Sequence, residues 1–242
     1  MIDLHCHILP GIDDGALDLA DSVAMGRVAA GDGIETIAAT PHIRHDHDVR
    51  IAELPDRVAE VNAELGRKDL PVTVVTGGEV AESSLEGLDE NELRAVTLGG
   101  GGWILLEPRP GPLGDSLLAA VTGLRERGFG ALIAHPERHV SADMIERIKA
   151  LIAAGALIQC TAAYLVSGPP RRGMLALAAA GLIHVLASDS HSSHGGRPLR
   201  ISDGLAVLEQ VELLSPHLDW IAREAPAAIL RGERPEPPYS SV

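Results

Sequence analysis

The chain has 242 residues, 45% hydrophobic and 22% charged, enough to bury one large core. Its formal net charge of −14 argues against nucleic acid as a partner, because neutralising phosphates requires cationic surface. Aromatic residues are only 2%, with a single Phe, so the core must be built from Ala, Val, Leu and Ile.

The first strand begins at residue 2, with Asp3-Leu4-His5-Cys6-His7. Side chains alternate along a strand, so His5 and His7 point to one side and Cys6 to the other. Pro10-Gly11 ends the strand, and the turn after it carries Asp13, Asp14 and Gly15. Two imidazoles followed by an acidic loop provide donors suited to a metal. Asp18 or Asp21 caps a predicted helix to about Ala30, which Gly31-Asp32-Gly33 ends. Ile34 to Thr40 reads as a strand leading to Pro41-His42, and His45 to Asp48 as a solvated loop.

A polar helix is predicted over Ile51 to Arg67, then a strand over Val72 to Val75 that lands on Thr76-Gly77-Gly78-Glu79. Trp103 to Leu106 leads to Glu107, and Ala131 to Ala134 leads to His135-Pro136-Glu137-Arg138. Leu157 to Cys160 is a further strand, and Ile183 to Ala187 ends in Ser188-Asp189-Ser190-His191. Helices are predicted between these strands over Leu113 to Arg127, Ala142 to Ala154 and Arg172 to Ala180. Two more follow, over Ile201 to Leu213 and Leu218 to Leu230. Residues 1–230 form a single domain on this reading, and the Pro- and Glu-rich segment from Arg231 a disordered tail.

Seven apolar strands alternating with helices at a spacing of about thirty residues predict a parallel sheet. No Gly-rich dinucleotide turn is present, which favours closure into a barrel. His7, His42, Glu79, Glu107, His135, Asp189 and His191 all fall at or just beyond C-terminal strand ends. In a parallel barrel those ends share one mouth, so the pattern predicts a site for several metals. Arg138 and Arg197 lie shortly after His135 and His191; each reads either as a phosphate-binding fork or as a surface ion pair. Neither Cys is followed six positions later by Arg, and there is no Gly-Lys-Ser/Thr, so Cys-based phosphatase loops and P-loops are absent. Two cysteines without a framework, and no signal peptide ahead of the first strand, predict a cytoplasmic protein. The most apolar stretch, Met174 to Ala187, is too short to insert in a membrane.

Together, Asp-Leu-His-Cys-His, Thr40-Pro41-His42, Gly78-Glu79, His135-Pro136-Glu137-Arg138 and Ser188-Asp189-Ser190-His191 resemble the polymerase-and-histidinol-phosphatase (PHP) family of metal hydrolases. Asp13-Asp14-Gly15 and the final Gly196-Arg197-Pro198 are more similar to its CpsB/CapC-type branch, manganese-dependent protein-tyrosine phosphatases of bacterial capsule and exopolysaccharide systems. The resemblance implies a distorted (β/α)7 barrel with three divalent metals, manganese by precedent and iron or zinc also suited to the donors. By position, His5, His7, Glu79 and Asp189 would hold the first. Glu107 and His135 would hold the second, with Glu79 bridging, and Asp14, His42 and His191 the third. Arg138 and Arg197 would bind the phosphate, and Asp14, His42 or His191 would assist proton transfer to the leaving oxygen. The implied substrate is a phosphotyrosyl protein, a bacterial tyrosine kinase above all, and a homo-oligomer is compatible with the sequence. A small-molecule phosphatase of the histidinol phosphatase kind and a non-catalytic, metal-dependent scaffold are the alternatives. Where the family commonly has aromatic residues after Glu79 this chain has Ala81-Glu82, and His139 stands where a Tyr is often found.

Overall fold

The computed structural model describes residues 1–240. Nine strand segments alternate with helices: β1 Ile2–Cys6, β2 Thr36–Ala39, β3 His42–Ile43, β4 Thr73–Thr76, β5 Glu79–Ala81, β6 Trp103–Glu107, β7 Gly130–Ile133, β8 Leu157–Thr161 and β9 Val185–Ala187. All their pairings are parallel, in the orders β1-β2-β4 and β3-β5-β6-β7-β8-β9. β2 and β3 are one path broken at Thr40-Pro41, and β4 and β5 one path broken at Gly77-Gly78. Pro41 has no N–H to donate and restricts Thr40, which breaks the first path. In the second, a side chain on Gly78 would stand 2.9 Å from Ile43 and 3.0 Å from Val96.

Hydrogen bonds bridge both breaks, Thr40 N–H to the Cys6 carbonyl at 2.9 Å and Glu79 N–H to that of Pro41 at 3.0 Å. The last strand returns to the first. Asp189 N–H donates to the His5 carbonyl and His7 N–H to the Ser190 carbonyl, both at 2.9 Å. Seven strand positions therefore follow one another around a ring, the parallel barrel expected from the alternation and the distorted (β/α)7 barrel that the resemblance implied. Two breaks and a register shift between Asp3 and Cys6 in the β1–β2 pairing distort it, and both breaks carry site residues.

Several enclosing helices follow their sequence signals, but the one expected over Ile201 to Leu213 spans only Ser202–Leu208, and short helices over Glu90–Ala95 and Ala162–Val166 were not expected. Asp18 caps the helix Leu19–Asp32 by accepting from Asp21 N–H, and Gly33, at φ 80°, ends it. Helix Leu54–Arg67 buries Leu54, Val58, Val61 and Leu65 at helical spacing. The C-terminal helical run differs from the expected continuous helix: a π turn spans Trp220–Glu224 just before Pro226, which has no N–H to donate.

Residues 231–240 also depart from the expectation of a free tail. They form no helix or strand, yet the Trp103 indole N–H donates to the Glu233 carbonyl at 3.0 Å. The Tyr239 hydroxyl donates to the Ile183 carbonyl at 2.6 Å, and its ring meets Trp220 edge-on. Composition alone suggested disorder because these anchors lie far away in sequence. Residues 241–242 lie outside the described part of the chain.

Candidate metal centre

β1 delivers His5 and His7 as its alternation requires. Both are fully buried on one side, with their Nε2 atoms 3.3 Å apart, while Cys6 faces the core. The break before β5 brings Glu79 to the centre of the mouth. Its Oε2 lies 3.4 Å from His5 Nε2, 3.3 Å from His7 Nε2 and 2.9 Å from His42 Nδ1, and its Oε1 lies 2.7 Å from His135 Nε2. The break before β3 supplies His42, whose Nε2 is 3.4 Å from the Asp14 carboxylate; His191 Nε2 is 3.5 Å from the same oxygen. Asp189 lies 3.5 Å from His5 and 3.6 Å from His191, and Glu107 lies 3.8 Å from His42. His135 and Asp189 both have positive φ, 34° and 50°, a strained conformation for side-chain-bearing residues that here turns each ligand inward past its strand end.

All nine residues expected to bind metal thus occupy one cluster. Donor atoms of four subsets lie within 4.8 Å of one another: His7, Asp14, His42 and His191; His5, His135 and Asp189; His5, His7 and Glu79; His42, Glu79 and Glu107. Asp14, His42 and His191, the donors implied for the third site, form one of these subsets with His7. Glu107 groups with His42 and Glu79, and His135 with His5 and Asp189, while His135 Nε2 also lies 2.7 Å from the Glu79 carboxylate.

These residues fit divalent cations. His42 Nδ1, Glu79 Oε2, His135 Nδ1 and Asp189 Oδ1 are buried without an aligned hydrogen bond, a costly arrangement that a cation relieves. The facing Nε2 atoms of His5 and His7 point the same way. Burial disfavours the Glu79 carboxylate, yet His5 and His135 outweigh it and hold its pKa well below the usual range. Burial likewise opposes the His7 imidazolium, but hydrogen bonds to Asp13 and Glu79 prevail and push its pKa up to about 10. His135, by contrast, is driven down to about 4 by burial.

Two supporting residues escaped the sequence reading as site residues. Gln159, buried on β8, presents Oε1 to His5 Nδ1 at 3.1 Å and accepts the His135 backbone N–H at 3.2 Å. Asp13 presents Oδ2 to His7 Nδ1 at 2.8 Å and accepts His42 N–H at 3.1 Å. Each acceptor favours the tautomer whose Nε2 lone pair faces the cluster. Gln159→Leu is therefore expected to weaken metal affinity by about 10- to 100-fold while the barrel stays folded, measured by competition with a fluorescent chelator.

Arginines close the mouth. Arg138 Nη2 and Arg197 Nη2 each lie 3.0 Å from Asp189, and Arg44 Nη1 lies 3.3 Å from Glu107. All three, with Asp14, His42, His191 and Gly196, line a pocket of ≈ 350 Å³. Arg138 and Arg197 thus line the pocket while each is ion-paired with the buried Asp189. Arg44 was missed because nothing in its local sequence separates it from a loop arginine. The expected solvated loop is exposed at His45, Asp46 and Asp48, whereas His47 is half-buried and stacks on His42 with centroids 5.1 Å apart.

A ring of parallel strands with a shared imidazole-carboxylate cluster and a guanidinium-lined pocket at its mouth defines a barrel hydrolase of the metal-dependent class. Residues 1–231 match the family described as capsular polysaccharide synthesis, CpsB/CapC, and the chain belongs to that family. It is 32% identical to the tyrosine-protein phosphatase YwqE of Bacillus subtilis strain 168, over 96% of this chain and 92% of that one. It is 28% identical to the tyrosine-protein phosphatase CpsB of Streptococcus pneumoniae, covering 79% of this chain and 83% of that one. A crystal structure from work on YwqE and CpsB, described as unique metal-dependent tyrosine phosphatases, superposes with a TM-score of 0.85 at 31% identity, covering 100% of this chain and 99% of the other.

Proposed function

We propose that this protein is a metal-dependent tyrosine phosphatase that hydrolyses phosphotyrosine on a kinase of capsule or exopolysaccharide assembly in the cytoplasm. The observation that carries the reading is a cluster of nine candidate metal donors whose outer members, Asp14, His42 and His191, share one pocket with three guanidinium groups. His5, His7, Glu79, Asp189, Glu107, His135, Asp14, His42 and His191 would hold up to three divalent ions. Imidazole and carboxylate donors suit manganese, iron or zinc, and the family resemblance favours manganese. Bound there, the ions supply Lewis acidity and make water nucleophilic at neutral pH.

The chain's own groups do the rest. Arg138 and Arg197, held by Asp189, present planar forks that match phosphate oxygens and oppose the charge developing on them. Asp14, 57% exposed at the rim between His42 and His191, would with either of them be a route for a proton to the leaving oxygen. No helix among the described residues is long and apolar enough to cross a membrane. The three guanidinium groups also disfavour a cationic substrate such as histidinol phosphate.

The test is turnover by purified, manganese-loaded protein of a phosphotyrosyl peptide, p-nitrophenyl phosphate and histidinol phosphate, with and without chelator. The peptide is expected to be the best substrate and chelation to abolish turnover; histidinol phosphate winning, or indifference to chelator, would sink the reading. Arg138→Ala is expected to raise KM about tenfold, the worth of one hydrogen bond between charged groups, with a smaller fall in kcat. Steady-state kinetics on p-nitrophenyl phosphate measure it.

A further inference from the structure

A cleft of ≈ 790 Å³ lies beside the metal pocket. Ile43, Val49, Ile51 and Ala52 line one side of it, and Leu88 and Ala95 the other. Ser83, Ser84 and Asn91 add hydroxyl and amide groups to this mainly apolar lining. Arg44 belongs to both the cleft and the metal pocket, so the two cavities meet at its side chain. His47, stacked on the ligand candidate His42, also lines the cleft.

Because Arg44 lines both cavities, apolar surface adjoins the metal pocket on the Arg44 side, within reach of a group attached to a phosphate held there. The volume is that of a site for a ligand much larger than one aromatic ring. An apolar floor with amide and hydroxyl groups beside it matches a peptide, whose main chain needs hydrogen bonds and whose side chains need burial.

We propose that this cleft docks the polypeptide flanking the phosphotyrosine, with neighbouring apolar side chains against Ile43, Val49, Ile51 and Leu88. The inference rests on the phosphatase reading above and names the part of the substrate that sets specificity. Arg44 is then the junction between phosphate and peptide subsites.

Gly87 and Ala95 are exposed in the lining, and a Cβ on Gly87 meets nothing within 4 Å, so Gly87→Trp and Ala95→Trp obstruct the cleft without entering the core. Two measurements are made on the full-length, manganese-loaded protein. One compares kinetics on a phosphotyrosyl peptide flanked by Ile and Leu with kinetics on p-nitrophenyl phosphate. The other is fluorescence anisotropy with a labelled peptide carrying the non-hydrolysable difluorophosphonomethyl-phenylalanine. Each variant is expected to lower peptide kcat/KM relative to p-nitrophenyl phosphate by about tenfold, through KM, and to weaken peptide binding by the same factor. Equal effects on both substrates, or unchanged anisotropy, overturn the proposal. So does sedimentation showing a dimer of this chain that the variants dissociate. If the unaltered protein hydrolyses neither substrate, the phosphatase reading fails, and the anisotropy still decides the cleft.

Discussion

Glu79→Gln is expected to cut kcat/KM on p-nitrophenyl phosphate by at least about a thousandfold, equivalent to about 4 kcal/mol of transition-state stabilisation. The size follows from position. One carboxylate reaches four imidazoles, those of His5, His7, His42 and His135, at 2.7 to 3.4 Å. Gln keeps the shape but removes the charge and puts an N–H₂ donor where an acceptor is needed, so no subset containing Glu79 can hold a cation as before. The fold should survive, since the barrel's closure runs through backbone bonds elsewhere. Kinetics, circular dichroism and metal content by mass spectrometry check it together. A variant that keeps turnover within tenfold while losing no metal would show that the cluster is not the catalytic centre.

The sequence revealed the donors more clearly than their grouping. His5 and His7 were legible because strand alternation fixes which side they share, Asp14 because it sits in an acidic turn the resemblance assigns to metal, and the other donors because each lies at or just past the end of an apolar strand. The strand breaks were half visible, in Pro41 and in Gly77-Gly78, but what resumes after them depends on pairing across the ring. How donors divide into subsets depends on side-chain direction, which no local pattern states: His135 groups with His5 and Asp189, and Glu107 with His42 and Glu79. Gln159 reads as a stray polar residue inside a β-strand; its meaning appears only when β8 lies beside β1's His5. Arg44 and the cleft depend on the segment after β3 meeting the short helices Glu82–Gly87 and Glu90–Ala95, remote in the chain, which no local pattern encodes. The anchoring of residues 231–240 rests on partners equally remote in sequence.

Removing metal is expected to lower Tm by about 10 °C. A ligand that binds only the folded chain stabilises it by about 4 kcal/mol at a thousand times its Kd, and each kcal/mol shifts Tm by about 2–4 °C in a domain of this size. The unfolded chain spreads its donors over residues 5 to 191 and cannot compete for the ion. The cluster also fixes how this gain depends on pH. In the metal-free protein the His7 pKa lies near 10, so at neutral pH a cation entering beside His7 must displace a proton. Lowering the pH strengthens the proton as a competitor, so the gain from metal should be smaller at pH 6 than at pH 8. Differential scanning calorimetry with and without chelator at both values measures it. A Tm indifferent to metal at either pH would mean that the folded chain does not bind the ion in preference to the unfolded one, and that the buried, unpartnered donors of the mouth serve some other purpose.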